Sequence, residues 1–278
     1  MSEKCSHNCS SCGGNPATCG QTPPVPEWQN RIKNKVMVLS GKGGVGKSTV
    51  AASLAVRLAA KEYKVGLLDV DFHGPSQPTL FQVSHMRMEQ GVNGLIPLES
   101  QGVKLVSLGV LMENPDSAVI WRGPAKMGVL EQLLNQTDWG DLDFLILDFP
   151  PGTGDESLSA AQLLQGEKKA IVVTTPQELS LADCRKCLDF CRQLDLKISG
   201  IVENMSGFVC PHCNQRSDIF SSGGGEHLAQ KYSVPLLATL PLDPEFMNYC
   251  DHGEIGEGLI QRDIVRKEID KIIDGLIK

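Results

Sequence analysis

The chain has 278 residues, a formal net charge of −7 and ten cysteines. That length suits one large α/β domain with a small appendage, a size that buries enough core to fold without a disulfide framework, and the acidic balance with no clustered Lys or Arg argues against a nucleic-acid partner. No apolar run approaches a membrane span and Met1-Ser2-Glu3-Lys4 opens no signal segment, so a cytoplasmic location, no membrane partner, a reducing compartment and metal chemistry at Cys-x-x-Cys pairs are expected.

Residues 1–30 read as a Cys-rich segment and 31–278 as a single phosphate-loop domain. The first segment holds Cys5, Cys9, Cys12 and Cys19 between glycines and prolines, with only Val25 and Trp28 as sizeable apolar groups. It cannot build a hydrophobic core alone, so a metal or cluster is the natural group to order it. The first three cysteines share the spacing of radical S-adenosylmethionine enzymes, without the barrel those enzymes require. Zinc and an unordered thiol tail are the alternatives.

Val36-Met37-Val38-Leu39 is a buried-strand run ending at Ser40, and Val50, Leu54 and Leu58 repeat at helical spacing as far as Lys61-Glu62. Between them stands Gly41-Lys42-Gly43-Gly44-Val45-Gly46-Lys47-Ser48, followed by Thr49. This is a phosphate-binding loop in its required strand–loop–helix frame. Its glycines let consecutive backbone N–H groups surround a β-phosphate, Lys47 meets the β- and γ-phosphates, and Ser48 places its hydroxyl on Mg²⁺ at a helix N-terminus.

Further strands are predicted at Val65–Leu68, Val103–Leu108, Phe144–Leu147, Ala170–Val173, Ile198–Val202 and Leu236–Ala238, alternating with helical stretches. The pattern predicts an α/β fold, a mostly parallel sheet flanked by helices on both faces, with ligands at the carboxyl ends of the strands. Carboxylates stand at those ends. Asp69-Val70-Asp71 follows the second strand, and Asp148-Phe149-Pro150-Pro151-Gly152-Thr153-Gly154-Asp155 follows a later one. Asp148 fits the metal role with Asp69 helping, Asp71 fits the orientation of an attacking water, and the N–H of Gly152 is free of side-chain hindrance to approach a γ-phosphate. Taken singly, each Asp is equally readable as a helix cap or turn residue.

Asn204 ends another strand where it can pair with an adenine edge, and Pro241-Leu242-Asp243 ends the next, where Pro241 and Asp243 wall the base pocket. The Asn-Lys-x-Asp of guanine readers is absent, so ATP is preferred over GTP. Cys184, Cys187 and Cys191 are spaced as one helical stripe with Leu181 and Leu194 and read as buried apolar thiols. Cys210-Pro211-His212-Cys213 is different, since two thiolates are half of what a tetrahedral site or a cubane cluster needs. A second copy of the chain supplies the other half; half a zinc ribbon is the competing reading. The stretch from Ile260 to Ile277 is amphipathic, with Ile264, Ile269, Ile272, Ile273 and Leu276 on one side, and its polar face mixes both charges, so it is expected to pack on the sheet instead of on a membrane.

Gly-Lys-Gly-Gly-Val-Gly-Lys-Ser-Thr from Gly41, the Asp69-x-Asp71 segment and Asp-x-Pro-Pro-Gly-Thr-Gly-Asp from Asp148 together resemble the Mrp/NBP group of iron–sulfur cluster carrier ATPases, over about residues 30–278. That group belongs to the deviant phosphate-loop class with MinD, ParA and the nitrogenase iron protein. The resemblance implies that Lys42 reaches across a two-fold interface to the partner's nucleotide, so that ATP binding is coupled to closure of a homodimer. It also implies that Asn204 reads adenine, that Cys210 and Cys213 of two subunits bridge a [4Fe–4S] cluster, and that apo iron–sulfur proteins receive it. Longer members carry a four-cysteine N-terminal cluster; the shorter first gap here leaves His7 as an alternative ligand to Cys5. The other activities within the same class are a positioning or partitioning ATPase with structural or zinc-binding cysteines, and ATP-driven electron transfer.

Overall fold

The computed structural model describes residues 25–72, 74–110, 123–210, 212–213 and 215–277. Cys5, Cys9, Cys12 and Cys19 lie outside the described residues. A one-turn helix, α1 (Glu27–Asn30), anchors Trp28 through its indole N–H to Asn135 Oδ1 at 2.8 Å and leads into β1 (Ile32–Ser40). The phosphate loop follows, then α2 (Lys47–Ala60), β2 (Val65–Asp69) and the short α3 (Gln77–Leu80). A small antiparallel pair, β3 (Glu89–Gln90) and β4 (Leu95–Ile96), precedes β5 (Leu98–Ser100), β6 (Val103–Ser107) and α4 (Gly123–Gln136). The chain continues through β7 (Leu142–Asp148), α5 (Asp155–Leu163), β8 (Lys168–Thr174), α6 (Glu178–Gln193) and β9 (Lys197–Glu203). A hairpin of β10 (Phe208–Val209) and β11 (Arg216–Ser217) is followed by α7 (Gly224–Tyr232), β12 (Leu236–Thr239), α8 (Pro244–Asp251), α9 (Ile255–Gln261) and α10 (Asp263–Ile277).

The main sheet has eight strands in the order β12-β9-β8-β1-β7-β2-β6-β5, all parallel except β5 at one edge. Seven of these strands are the predicted ones. The antiparallel β5 is an addition: its three residues carry too little periodicity to stand out in the sequence. Strand β1 lies centrally between β7 and β8, and its side chains alternate between two cores. Val36 and Val38 pack with Val50, Leu54 and Leu58 of α2 and with apolar groups of α8, α9 and α10. Met37 and Leu39 face α4, α5, α6 and α7 on the other side. Each fully buried Val, Leu or Ile contributes about 1.5–3 kcal/mol of transfer free energy, which is why the strands read as unbroken apolar runs.

The C-terminal amphipathic stretch is two helices, not one. The break falls at Arg262, whose guanidinium turns back to Asp243 Oδ2 at 2.8 Å and also pairs with Glu245. Ile269, Ile272, Ile273 and Leu276 are buried against the sheet as expected, but Val265 takes the place expected of Ile264, which is exposed. All of these lie in α10, whose buried stripe runs Val265, Ile269, Ile272, Ile273 and Leu276, and Ile264, one residue before Val265, stands about 100° off that stripe. Cys184, Cys187 and Cys191 are fully buried on the inward face of α6 beside Leu181 and Leu228. Burial pushes the Cys184 thiol up to about 12, and contact with Cys191 together with burial raises Cys187. Replacing Cys187 by Ser places a hydroxyl among these apolar neighbours and is expected to lower urea-unfolding stability by about 1–3 kcal/mol, with the protein's iron content unchanged.

Candidate nucleotide site and cysteine hairpin

Parallel pairing brings the carboxyl ends of β1, β2 and β7 side by side, with Asp69 directly opposite Asp148. The phosphate loop wraps over these ends. Gly44 and Gly46 occupy left-handed backbone with φ of 77° and 82°, a conformation that residues with a Cβ resist. At Gly46 a Cβ would also collide with the Asn204 amide, and at Gly41 it would strike the backbone of Asp183 and Cys184. Lys42 is half-buried, while Gly43 and Gly44 are exposed toward solvent. Lys42, Gly43, Gly44, Val45, Gly46, Lys47, Ser48 and Thr49 share one concavity with Asp71, Ser76 and Pro151.

Lys47 is buried, and its ammonium pairs with Asp148 and lies 3.2 Å from Ser48 Oγ. Asp148 is fully buried and its second oxygen accepts from Gln77 Nε2 at 2.7 Å. Asp69 is buried too, accepting from Ser107 Oγ and the Gln77 N–H at 3.2 Å each and from the Asp71 N–H at 3.1 Å. Burial, and then the neighbouring Asp148 charge, hold the Asp69 carboxyl well above the usual carboxylate range. Asp71 is half-buried at the rim and accepts from the Gly74 N–H at 3.1 Å. The Gly152 N–H donates to Ser40 O at 2.9 Å, so presenting it to a phosphate means giving up that bond.

Beside the loop lies a small, mostly apolar cavity lined by Gly46, Thr49, Asn204, Pro241 and Asp243, with Leu240 and Phe246 behind. Asn204 spends its side-chain N–H on Val45 O at 2.9 Å. The Asp243 carboxylate caps α8 through the Phe246 N–H at 2.9 Å and holds Arg262, so its oxygens are committed to structure while its neighbours form the wall. Gln77, fully buried and touching both strand-end carboxylates, was not legible beforehand: an uncharged residue in a loop gives no signal except its place after the Asp-x-Asp segment.

From Asn204 the chain runs straight to the cysteines. Met205 and Gly207 take left-handed backbone, the Ser206 N–H donates to Leu240 O, and the Leu242 N–H donates to Gly207 O, each at 2.8 Å. The β10–β11 hairpin then lifts Cys210 and Cys213 to the surface, the Cys210 N–H closing onto Gln215 O at 3.0 Å. Cys210 is half-buried and Cys213 exposed. Backbone N–H groups of Cys213 and His212 directed at its sulfur lower the Cys210 thiol below its ordinary range.

The family described as "NUBPL iron-transfer P-loop NTPase" matches residues 31–277. The chain belongs to that family. Among its relatives, the cytosolic Fe-S cluster assembly factor CFD1 of Kluyveromyces lactis is 44% identical over 269 residues, covering 91% of this chain and 95% of the relative. The iron-sulfur cluster carrier protein of Methanococcus maripaludis is 42% identical, covering 91% of this chain and 90% of the relative. Among solved structures, the nucleotide-binding protein of Archaeoglobus fulgidus in complex with ADP superposes with a TM-score of 0.73 at 38% identity, covering 82% of this chain and 89% of that one. The cell division ATPase MinD of Pyrococcus furiosus, at 22% identity, TM-score 0.61 and coverage of 87% and 98%, shares the fold.

Two outcomes follow from the geometry. In metal-free native protein near neutral pH, iodoacetamide is expected to alkylate Cys210 ahead of Cys213, leaving Cys184, Cys187 and Cys250 unlabelled until denaturation, as read by peptide mass spectrometry. Gly46→Ala, which combines left-handed strain with the Asn204 collision, is expected to weaken binding of a fluorescent ADP analogue at least tenfold by titration.

Proposed function

We propose that this chain is an ATP-hydrolysing carrier that holds a [4Fe–4S] cluster between two copies of itself and delivers it to apo iron–sulfur proteins. The observation that carries the reading is the direct connection between the two sites. Asn204 is bonded to the phosphate loop at Val45, and six residues later in the same segment stands Cys210. Movement of the loop on nucleotide binding is thereby passed to the cysteine hairpin. Relatives named for cluster assembly and carriage support the cargo, and the ADP complex of the archaeal relative supports the nucleotide.

In the proposed mechanism, N–H groups of Gly43 to Lys47 surround the β-phosphate, and Lys47 leaves Asp148 to meet the β- and γ-phosphates. Hard oxygen donors at Ser48, Asp69 and Asp148 fit Mg²⁺: the two strand-end carboxyls stand side by side with Lys47 paired to Asp148, and a divalent cation would favour the ionised form of both. Ser48, Asp69 and Asp148 would hold the ion, which would supply positive charge against the polyphosphate. Asp71 orients the attacking water and takes its proton as the water oxygen bonds to the γ-phosphorus and the bond to the bridging oxygen of ADP breaks. Lys42 from the second copy supplies charge to that transition state. Thr49, Asn204, Pro241 and Asp243 border the base, and Gly152 exchanges Ser40 O for the γ-phosphate.

The cluster is cargo, held by Cys210 and Cys213 of both copies, two thiolates from each completing the set of four. Cys5, Cys9, Cys12 and Cys19 form a second thiol group for a cluster or zinc. A positioning ATPase of the MinD kind shares the fold but not the relatives named above.

Lys42→Ala is expected to reduce ATP turnover by about 10³-fold or more, as loss of a charge supplied in trans does, measured by phosphate release; unchanged hydrolysis removes the trans role. Anaerobically purified protein is expected to lose about four irons and four sulfides per dimer in the Cys210→Ser/Cys213→Ser double variant. Zinc without sulfide, or iron indifferent to the substitutions, overturns the cluster assignment.

A further inference from the structure

Gln77 stands at the first position of α3, where it touches every residue assigned above to magnesium. Its backbone N–H donates to Asp69 Oδ2 at 3.2 Å. Its side-chain amide donates to Ser48 O at 3.1 Å and to Asp148 Oδ2 at 2.7 Å. It is completely buried, and its Oε1 has no hydrogen-bond partner among the described residues. An orphaned buried acceptor costs about 1–3 kcal/mol, and such a cost in a native interior calls for a reason. The reason is visible in the donors. Rotating the amide by half a turn would set Oε1 against two acceptors, the Ser48 carbonyl and the Asp148 carboxylate. The side chain therefore keeps its NH₂ where it is and leaves its oxygen unserved.

Asp148 is held on both oxygens, Oδ1 by Lys47 and Oδ2 by Gln77. These two grips differ in fate. Lys47 is the phosphate-binding lysine and turns to the nucleotide, whereas the Gln77 amide has no phosphate to reach from its buried position. We propose that Gln77 is a positioning residue for magnesium: its amide keeps the Asp148 carboxylate oriented toward the metal's water shell once Lys47 has turned to the phosphates. Through its backbone it also ties the segment carrying Asp71 to Asp69, so the metal's carboxylates, that segment and the start of α2 are joined at one residue. The inference rests on the magnesium–nucleotide reading above. Groups that orient a metal's carboxylates from behind change metal affinity by about 10–100-fold when removed.

The test compares wild type with Gln77→Met, which matches the side chain in length and lacks polar atoms, and with Gln77→Leu should the first variant fold poorly. Binding of a fluorescent ADP analogue is titrated in EDTA and then across a Mg²⁺ series, with Mn²⁺ binding in the presence of ADP followed by electron paramagnetic resonance. The expected result is about a tenfold or greater rise in the Mg²⁺ and Mn²⁺ concentrations for half-saturation, metal-free nucleotide affinity within about twofold, and a lowered thermal midpoint because Asp148 Oδ2 and Ser48 O lose their donor. Wild-type metal dependence in a folded variant overturns the role of Gln77. A wild-type protein whose nucleotide binding ignores Mg²⁺ overturns the underlying reading instead, and the two failures are told apart by which protein shows them.

Discussion

The ion pair between Lys47 and Asp148 is the constraint around which the site is arranged. Both side chains are almost without solvent contact, 7% and 0% exposed, and a buried pair of this kind is costly to break from one side because the remaining charge is stranded, at about 3–5 kcal/mol. It joins the helix that follows the phosphate loop to the end of β7, and it exists only because parallel pairing of β1 with β7 places Val38 opposite Asp148. A polyphosphate that draws Lys47 away must replace that partner, and the carboxylate left behind must find another counter-charge. On the proposed reading, nucleotide and divalent cation are in this sense demanded together by one contact.

Much of this was legible in the sequence because a buried parallel sheet leaves little freedom. Strands covered on both faces read as continuous apolar runs, their ends are where ligands meet the chain, and the glycines of Gly41 to Ser48 have few uses other than cradling phosphate. The cysteine stripe of α6 declared itself by helical spacing, and burial agrees. What escaped was decided by pairing and packing. The antiparallel β5 is three residues long, the β10–β11 hairpin is built from strands of two, and neither length supports a periodic signal. Gln77 carries no charge and belongs to no pattern; its importance comes from three acceptors assembled by distant parts of the chain. Ile264 misled because it stands next to Val265 yet about 100° off the stripe that Val265, Ile269, Ile272 and Leu276 bury, and the valine was passed over for the larger isoleucine.

The cavity beside the phosphate loop is walled in part by a group that serves the architecture. Asp243 stands at its wall, yet both its oxygens are occupied in capping α8 and in fixing Arg262. The same carboxylate therefore fastens α8 to the restart of the C-terminal helix, and α10 in turn covers the sheet with Ile269, Ile272, Ile273 and Leu276.

The hairpin bearing Cys210 and Cys213 contributes almost nothing to either core: Val209 is exposed, and the ladder beneath the cysteines is two residues deep. A zinc finger makes its metal indispensable to folding, so removing the ion dissolves the scaffold. Here the arrangement is the reverse. On the proposed reading, a load gained or surrendered at the tip of so shallow a ladder leaves the sheet and its helices folded, and the chain serves as a reusable vessel on the outward and the return journey.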